Sequence, residues 1–254
     1  MPERSERNGY KYEKLGYQCE KFSFENREGV VVFPFVARKE NPWIWRPEFF
    51  GAFEQADQEL LKQGWKLVYI TMSDQYGCPD IIHFMERFYT WITKTYCLSY
   101  KADLFGFSRG GLYALNFAAQ NPEKVQTLYL DAPVIDLASW PGGYYGTAPH
   151  LEKEWTEACE AYKCTSEELK NYKQKMEKKF QILLEKQIPV ILVAGLADQV
   201  VPYEENGKFL ENYMLQKHMK NFKCIKKNGC DHHPHSMENP EEIVKFISES
   251  LLEK

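Results

Sequence analysis

The chain has no excess of positive charge, no long apolar run and no cysteine pair, and each absence removes a class of protein. Thirty-two Lys and Arg against 36 Asp and Glu leave a formal charge of −4 over 254 residues. Nucleic-acid and membrane-surface binders carry a basic face, so neither nucleic acid nor membrane is expected as a partner. The lysines that do cluster, Lys170–Lys179, are interspersed with Glu and Gln as on a solvated helix face. No stretch of about 18 apolar residues is present to span a bilayer. The opening Met1–Asn8 is charged and lacks an apolar h-region, so no secretory signal is expected there. Seven cysteines, at 19, 78, 97, 159, 164, 224 and 230, are odd in number and form no C-x-x-C pair. They read as reduced thiols of a cytoplasmic protein. No Pro/Gly/Ser-rich linker, low-complexity run or internal repeat divides the chain, so residues 1–254 are expected to form a single domain.

What is present is enough hydrophobic material, 44% of residues, for one large core with alternating strands and helices. Tyr17–Phe24 alternates like an edge strand, Glu25–Gly29 is a turn, and Val30–Phe35 returns as a more buried strand. A helix over Phe49–Gly64 leads to the strand Trp65–Ile70. Pro79–Tyr96 repeats Ile81, Met85, Phe88 and Ile92 at helical spacing, with His83 beside the stripe as a packed or surface histidine. Ala102–Phe107 is a strand followed by a helix over Arg109–Gln120, and Val125–Leu130 is another strand. Val134–Lys186 contains no clear strand. It begins with the Gly- and aromatic-rich Ser139–Gly146 and ends in a charged helix running from Thr165 towards Glu185, opened by a Thr165/Glu168 capping box. The stretch 134–186 is expected to be a helical lid inserted over the end of the sheet. Pro189–Ala194 is a continuous apolar run, as in a strand buried on both faces. A helix over Glu204–Lys217, a strand over Phe222–Lys226 and a helix over Glu241–Leu252 complete the pattern. Such alternation predicts an α/β fold with a mainly parallel sheet, helices on both faces, and functional groups at the carboxyl ends of the strands.

Gly106-Phe107-Ser108-Arg109-Gly110 is a G-x-S-x-G pentapeptide standing where a strand gives way to a helix. In a nucleophile elbow the serine occupies the bend, with φ above zero and an exposed hydroxyl. Small flanking residues are needed because the turn is crowded. The Arg109 N–H, at the helix start, would face a developing oxyanion. An ordinary strand-to-helix turn is the bland alternative, and partners decide between the two. A serine hydroxyl needs a histidine to take its proton and an acid to orient that histidine.

Asp198, in Gly195–Pro202, lies just beyond the carboxyl end of the Pro189–Ala194 strand. It is the first choice of acid, ahead of Asp131, which stands similarly after the preceding strand. Three of the six histidines fall within four positions, His232, His233 and His235, in the loop after the last strand. His232 is the preferred base because it stands closest to the glycine turn ending the strand, with His233 and His235 as alternates. Cys230, Asp231 and the three histidines are also possible metal ligands. The cluster lacks H-E-x-x-H spacing and a cysteine pair, so neither a metal nor another cofactor is expected.

Serine, aspartate and histidine in that chain order resemble an α/β-hydrolase over nearly the whole sequence, through Gly106–Gly110, Gly195–Pro202 and Gly229–His232. That resemblance implies an α/β-hydrolase fold and Ser108, Asp198 and His232 as its triad. Pro42–Arg46 and His232–Ser236 are similar to a subgroup of bacterial hydrolases associated with carbohydrate-ester breakdown. The His-Gly pair that often follows the third strand is missing, and Phe35–Arg46 stands in its place. A backbone N–H from the Trp43–Arg46 loop, with Trp45 taken as the donor, is expected to complete the oxyanion hole beside Arg109.

Trp43, Trp45, Trp140, Tyr144 and Tyr145 come from segments expected to flank the site, where aromatic faces hold a sugar ring or aryl group. Phe49 and Phe50 are read instead as core. Trp43, Trp140 and Tyr144, with Arg46 for a substrate carboxylate or as a partner of Glu48, are the candidate substrate-binding residues. The leading expectation is a serine hydrolase of small-molecule carboxylic esters, such as an acylated carbohydrate or an aryl ester. A peptidase or amidase resembling prolyl oligopeptidases is the second reading, and a hydrolase-fold binding protein without turnover the third.

Overall fold

A computed structural model describes residues 10–252, so the charged opening Met1–Asn8 lies outside the described part. After a short helix α1 (Tyr10–Lys14), the chain runs β1 (Gln18–Phe24), β2 (Arg27–Phe33), β3 (Trp43–Arg46), α2 (Gln55–Lys62) and β4 (Lys66–Ile70). It continues through α3 (Pro79–Thr95), β5 (Ala102–Phe107), α4 (Gly110–Gln120) and β6 (Val125–Asp131). Then come α5 (Glu152–Tyr162), α6 (Ser166–Lys170), α7 (Lys173–Glu185), β7 (Val190–Gly195), α8 (Gly207–Gln216), β8 (Phe222–Lys227) and α9 (Glu241–Leu252). The eight strands form one sheet in the order β1-β2-β4-β3-β5-β6-β7-β8. β1, β2 and β4 pair antiparallel, and every pair from β4 across to β8 is parallel.

Strand side chains alternate between two cores, as the period of two requires. Trp43, Trp45, Leu104, Leu128, Leu130 and Leu192 face the layer of α3, α4, α7 and α8. Ile44, Phe105, Phe107, Tyr129, Ile191 and Val193 face α2 and α9 on the other side. A parallel strand covered on both faces has no room for the polar half of an alternating pattern, which is why Val190–Gly195 reads as one apolar run.

Three expectations need correction. Trp43–Arg46 is not a loop but a fully buried strand, paired with β4 on one side and β5 on the other. The helix expected over Phe49–Gly64 begins only at Gln55, because Phe49, Gly51 and Phe53 all take positive φ (55°, 74° and 53°). The charged helix from Thr165 is two helices, broken at Asn171–Tyr172. Its capping box is present, with the Thr165 hydroxyl and the Glu168 carboxylate each accepting from the other's backbone N–H. The second of these helices, α7, packs against α4 and α8, and buries Met176, Phe180 and Leu183. It therefore belongs to the helical layer of the sheet. The buried run Val134–Trp140 and the helices α5 and α6 are what the chain adds beyond it.

The strand order places the site. From β3 the chain steps one way to β4, then returns past β3 to β5, so the order reverses between β3 and β5. A crevice opens at the carboxyl ends of strands that flank such a switch point. Ser108 follows β5 directly, and Pro47–Glu48 follow β3.

Candidate active site

Ser108 sits on the bend between β5 and α4 with φ +48°. Its backbone is pinned on both sides. Its N–H donates to Asp131 O at 2.9 Å, and its carbonyl accepts from Gly111 N at 2.9 Å and Val134 N at 2.8 Å. These bonds hold a conformation that a residue with a side chain otherwise adopts at a cost of order 1–3 kcal/mol. The close approaches lie at Gly106 and Gly111 more than at Gly110. A Cβ on Gly111 would stand 2.5 Å from Pro133 Cβ, and one on Gly106 would stand 2.9 Å from Ala114 Cβ. At Gly110 the nearest atom would be Glu48 Cβ, at 3.3 Å.

His232 and Asp198 come to Ser108 from two loops that are stitched together. Ala197 N donates to Cys230 O, and the Asp231 carboxylate accepts from Gln199 N at 3.1 Å and His232 N at 2.7 Å. Those two amide donors hold the Asp231 carboxyl below its ordinary range. His232 Nε2 lies 3.0 Å from Ser108 Oγ, and His232 Nδ1 lies 2.7 Å from Asp198 Oδ2. The other Asp198 oxygen accepts from Val200 N and Val201 N, each at 2.8 Å, so the carboxylate cannot turn away. All three side chains are buried.

Asp131 has a different set of partners. Its carboxylate faces His235 Nδ1 at 3.0 Å and accepts from Ser236 N at 2.7 Å and the Tyr129 hydroxyl at 2.8 Å. His235 is thereby held behind His232, with ring centroids 4.8 Å apart. His233 is exposed, stacks on Phe53, and has its basicity lowered by partial burial and by its two histidine neighbours.

Trp45 is not placed to serve the oxyanion hole. It lies inside β3 between Val68 and Leu104, with its ring stacked on Trp43 and edge-on to Phe117. Trp43 is likewise core, its indole N–H donating to Ser99 O at 2.9 Å. Arg46 pairs with Asp57 and not with Glu48. It is wholly buried, 2.5 Å from Asp57 and 4.2 Å above the Phe107 ring. These corrections share one cause: a four-residue strand under two helical layers buries aromatics that would line a cleft if the segment were a loop. Trp140 is buried near Tyr76, while Tyr144 is partly exposed against Trp155 and His150.

The side chain of Arg109 spans two acids that sequence reasoning did not assign to the site. Its guanidinium contacts Asp74 at 2.8 Å and Glu48 at 3.4 Å, and Phe49 lies beside it at 6.0 Å. Burial raises the Glu48 carboxyl above its ordinary range, and Arg109 opposes that shift. Both acids stand just past the carboxyl ends of strands, β3 and β4, which was the available signal.

The fold and the serine elbow define an α/β-hydrolase enzyme. Residues 63–252 match the model of the prolyl oligopeptidase family, Peptidase_S9, and the chain belongs to that family. No curated protein matches the sequence. Among solved structures, a protein described as a dipeptidyl aminopeptidase IV from Bacteroides ovatus superposes with a TM-score of 0.67 at 12% identity, over 92% of this chain and 35% of that one. A protein described as a lipase from Acinetobacter baumannii gives 0.60 at 12% identity, over 96% and 94% of the two chains. A structure from work on carboxylesterases of the thaumarchaeon Nitrososphaera gargenis gives 0.57 at 14% identity, over 92% and 100%. At these identities the three likenesses speak for the fold. No described helix is long and apolar enough to cross a membrane.

Proposed function

We propose that the chain hydrolyses carboxylic esters through an acyl-enzyme on Ser108. The observation that carries this reading is the unbroken line from Ser108 Oγ to His232 at 3.0 Å and from His232 to Asp198 at 2.7 Å. His232 takes the Ser108 proton as the hydroxyl attacks the ester carbonyl, then returns it to the departing alcohol. Asp198 accepts from Nδ1–H, which fixes the tautomer and stabilises the imidazolium. Water then repeats the sequence to release the acid. The Arg109 N–H is the first oxyanion donor. With Trp45 inside the sheet, the second is assigned to the Glu48–Phe49 backbone after β3, since Pro47 has no N–H to give.

The partly exposed rings of Phe49 and Phe53 lie against the histidine loop, which favours an apolar acyl or aryl group. Support for an acylated carbohydrate weakens with the burial of Trp43 and Arg46. Val134–Lys170 is the part of the expected lid that remains to cover the crevice. The seven reduced cysteines suit a reducing, cytoplasmic location.

A peptidase or amidase is the second reading, favoured by the family match itself. Aryl esters and aminoacyl amides assayed in parallel separate the two. Ser108→Ala is expected to abolish both turnover and labelling by a fluorophosphonate. Residual ester hydrolysis at wild-type rate would refute the assignment, and absent labelling of folded wild-type protein would favour a binding protein without turnover.

A further inference from the structure

We propose that His232, His233 and His235 form a binding site for a divalent transition metal of the zinc type, and that the metal switches the hydrolase off. The sequence spacing argues against such a site, but the loop folds back on itself. Each of the three imidazoles offers a ring nitrogen, and these nitrogens lie within 4.8 Å of one another. The rings meet nearly edge-to-face, with centroids 4.8–4.9 Å apart.

The second observation is His235 itself. Its side chain is fully buried, its Nδ1 is taken up by Asp131, and its Nε2 has no hydrogen-bond partner among the described residues. A buried ring nitrogen without a partner is costly, and a metal ion satisfies it. His232 and His235 each present Nδ1 to a carboxylate, Asp198 and Asp131 respectively. That is the arrangement that orients a ligating histidine and raises its basicity. The two carboxylates also offset the charge of a dication. Tetrahedral zinc with bonds of about 2.0–2.1 Å needs nitrogens roughly 3.4 Å apart. The three nitrogens must therefore draw together on binding, and His233 is the exposed member of the set.

The consequence follows from the lone pair used. Metal on His232 Nε2 occupies the nitrogen that would receive the Ser108 proton, so the bound enzyme has no base. The inhibition rests on the ester-hydrolase reading, whereas the site itself does not.

Cobalt(II) reports the site without turnover. Titrated into wild-type and Ser108→Ala protein, it is expected to give one tetrahedral d–d spectrum per chain. His233→Ala, at an exposed position, should weaken that binding by at least about tenfold. Zinc should inhibit wild-type aryl-ester turnover, with recovery on adding EDTA, and His233→Ala should need about tenfold more zinc for half-inhibition. Absent cobalt binding, or binding unchanged in His233→Ala, overturns the site. Cobalt binding with turnover indifferent to zinc overturns the switch. If the protein turns over no ester, the cobalt titration still decides the site, and only the catalytic reading fails.

Discussion

His235 stands to Asp131 as His232 stands to Asp198: in each pair Nδ1 faces a buried carboxylate, at 3.0 and 2.7 Å. The acids follow or end adjacent strands, β6 and β7, so sequence position alone does not choose between them. The difference is that Ser108 Oγ meets the His232 ring. Asp198→Asn should lower kcat on an aryl ester by about 10⁴, as expected when a triad histidine loses its tautomer. Asp131→Asn should act mainly on the fold. It breaks a buried acceptor with three partners and should cost about 1–3 kcal/mol in urea unfolding, with a far smaller fall in kcat. The reverse ranking of the two rates would make Asp131 the catalytic acid.

Arg46 and Asp57 form a buried ion pair, and neither is fully satisfied: Arg46 Nε and Nη2 and Asp57 Oδ1 lack partners among the described residues. Removing one member strands the other. Asp57→Ala should therefore destabilise the protein by about 3–5 kcal/mol, whereas Arg46→Met with Asp57→Leu should cost much less. Equal losses in denaturant melts would show that the pair contributes through packing and not through charge.

Asp103 is buried in β5 and accepts from the Trp65 indole at 2.8 Å. Burial pushes its carboxyl up to about 7, against the pull of hydrogen bonds. The unfolded value lies near 3.9. Between the two, the folded protein holds a proton that the unfolded chain has lost. The stability contributed is thus full below about pH 4 and disappears as pH rises through 7. Asp103→Asn keeps an acceptor for Trp65 and carries no charge. It should stabilise the protein more at pH 8 than at pH 5, by on the order of 2 kcal/mol. Chemical denaturation at the two pH values checks this, and an equal effect at both would place the carboxyl in its ordinary range.

A methyl group at Gly111 would meet Pro133, just past β6. Gly111→Ala should cost about 1–3 kcal/mol and lower kcat, because Ser108 O is held by Gly111 N. Gly110→Ala, with looser surroundings, should be milder on both measurements.

The residues legible in the sequence were those whose role is local. Gly106–Gly110 marks its own turn, the Thr165/Glu168 cap its own helix, and the apolar run before Gly195 its own burial. The Trp43–Arg46 strand is not legible because four residues between Pro42 and Pro47 show no periodicity, and an arginine at the end suggests solvent. Its burial depends on α2, α3 and α4, and Asp57 lies on another element. The break at Asn171–Tyr172 has no proline or glycine to announce it. It is where Tyr172 turns inward to bond Asn116, at 3.1 Å. The proximity of the three histidine rings likewise depends on how their loop turns back on itself, which spacing does not record.

The joining of the Gly195–Pro202 loop to the Cys230–His232 loop has a mechanical consequence. A Cβ on Gly195 would stand 2.5 Å from Asp231 O, so the two segments fit as one piece. Asp198 and His232 therefore travel together, and the gap that motion can open is the one between His232 and Ser108. Any insertion that lengthens one loop must be matched in the other. On the proposed mechanism, change that adjusts the rate while keeping Asp198 on His232 has its point of leverage at the seam between β5 and this paired unit.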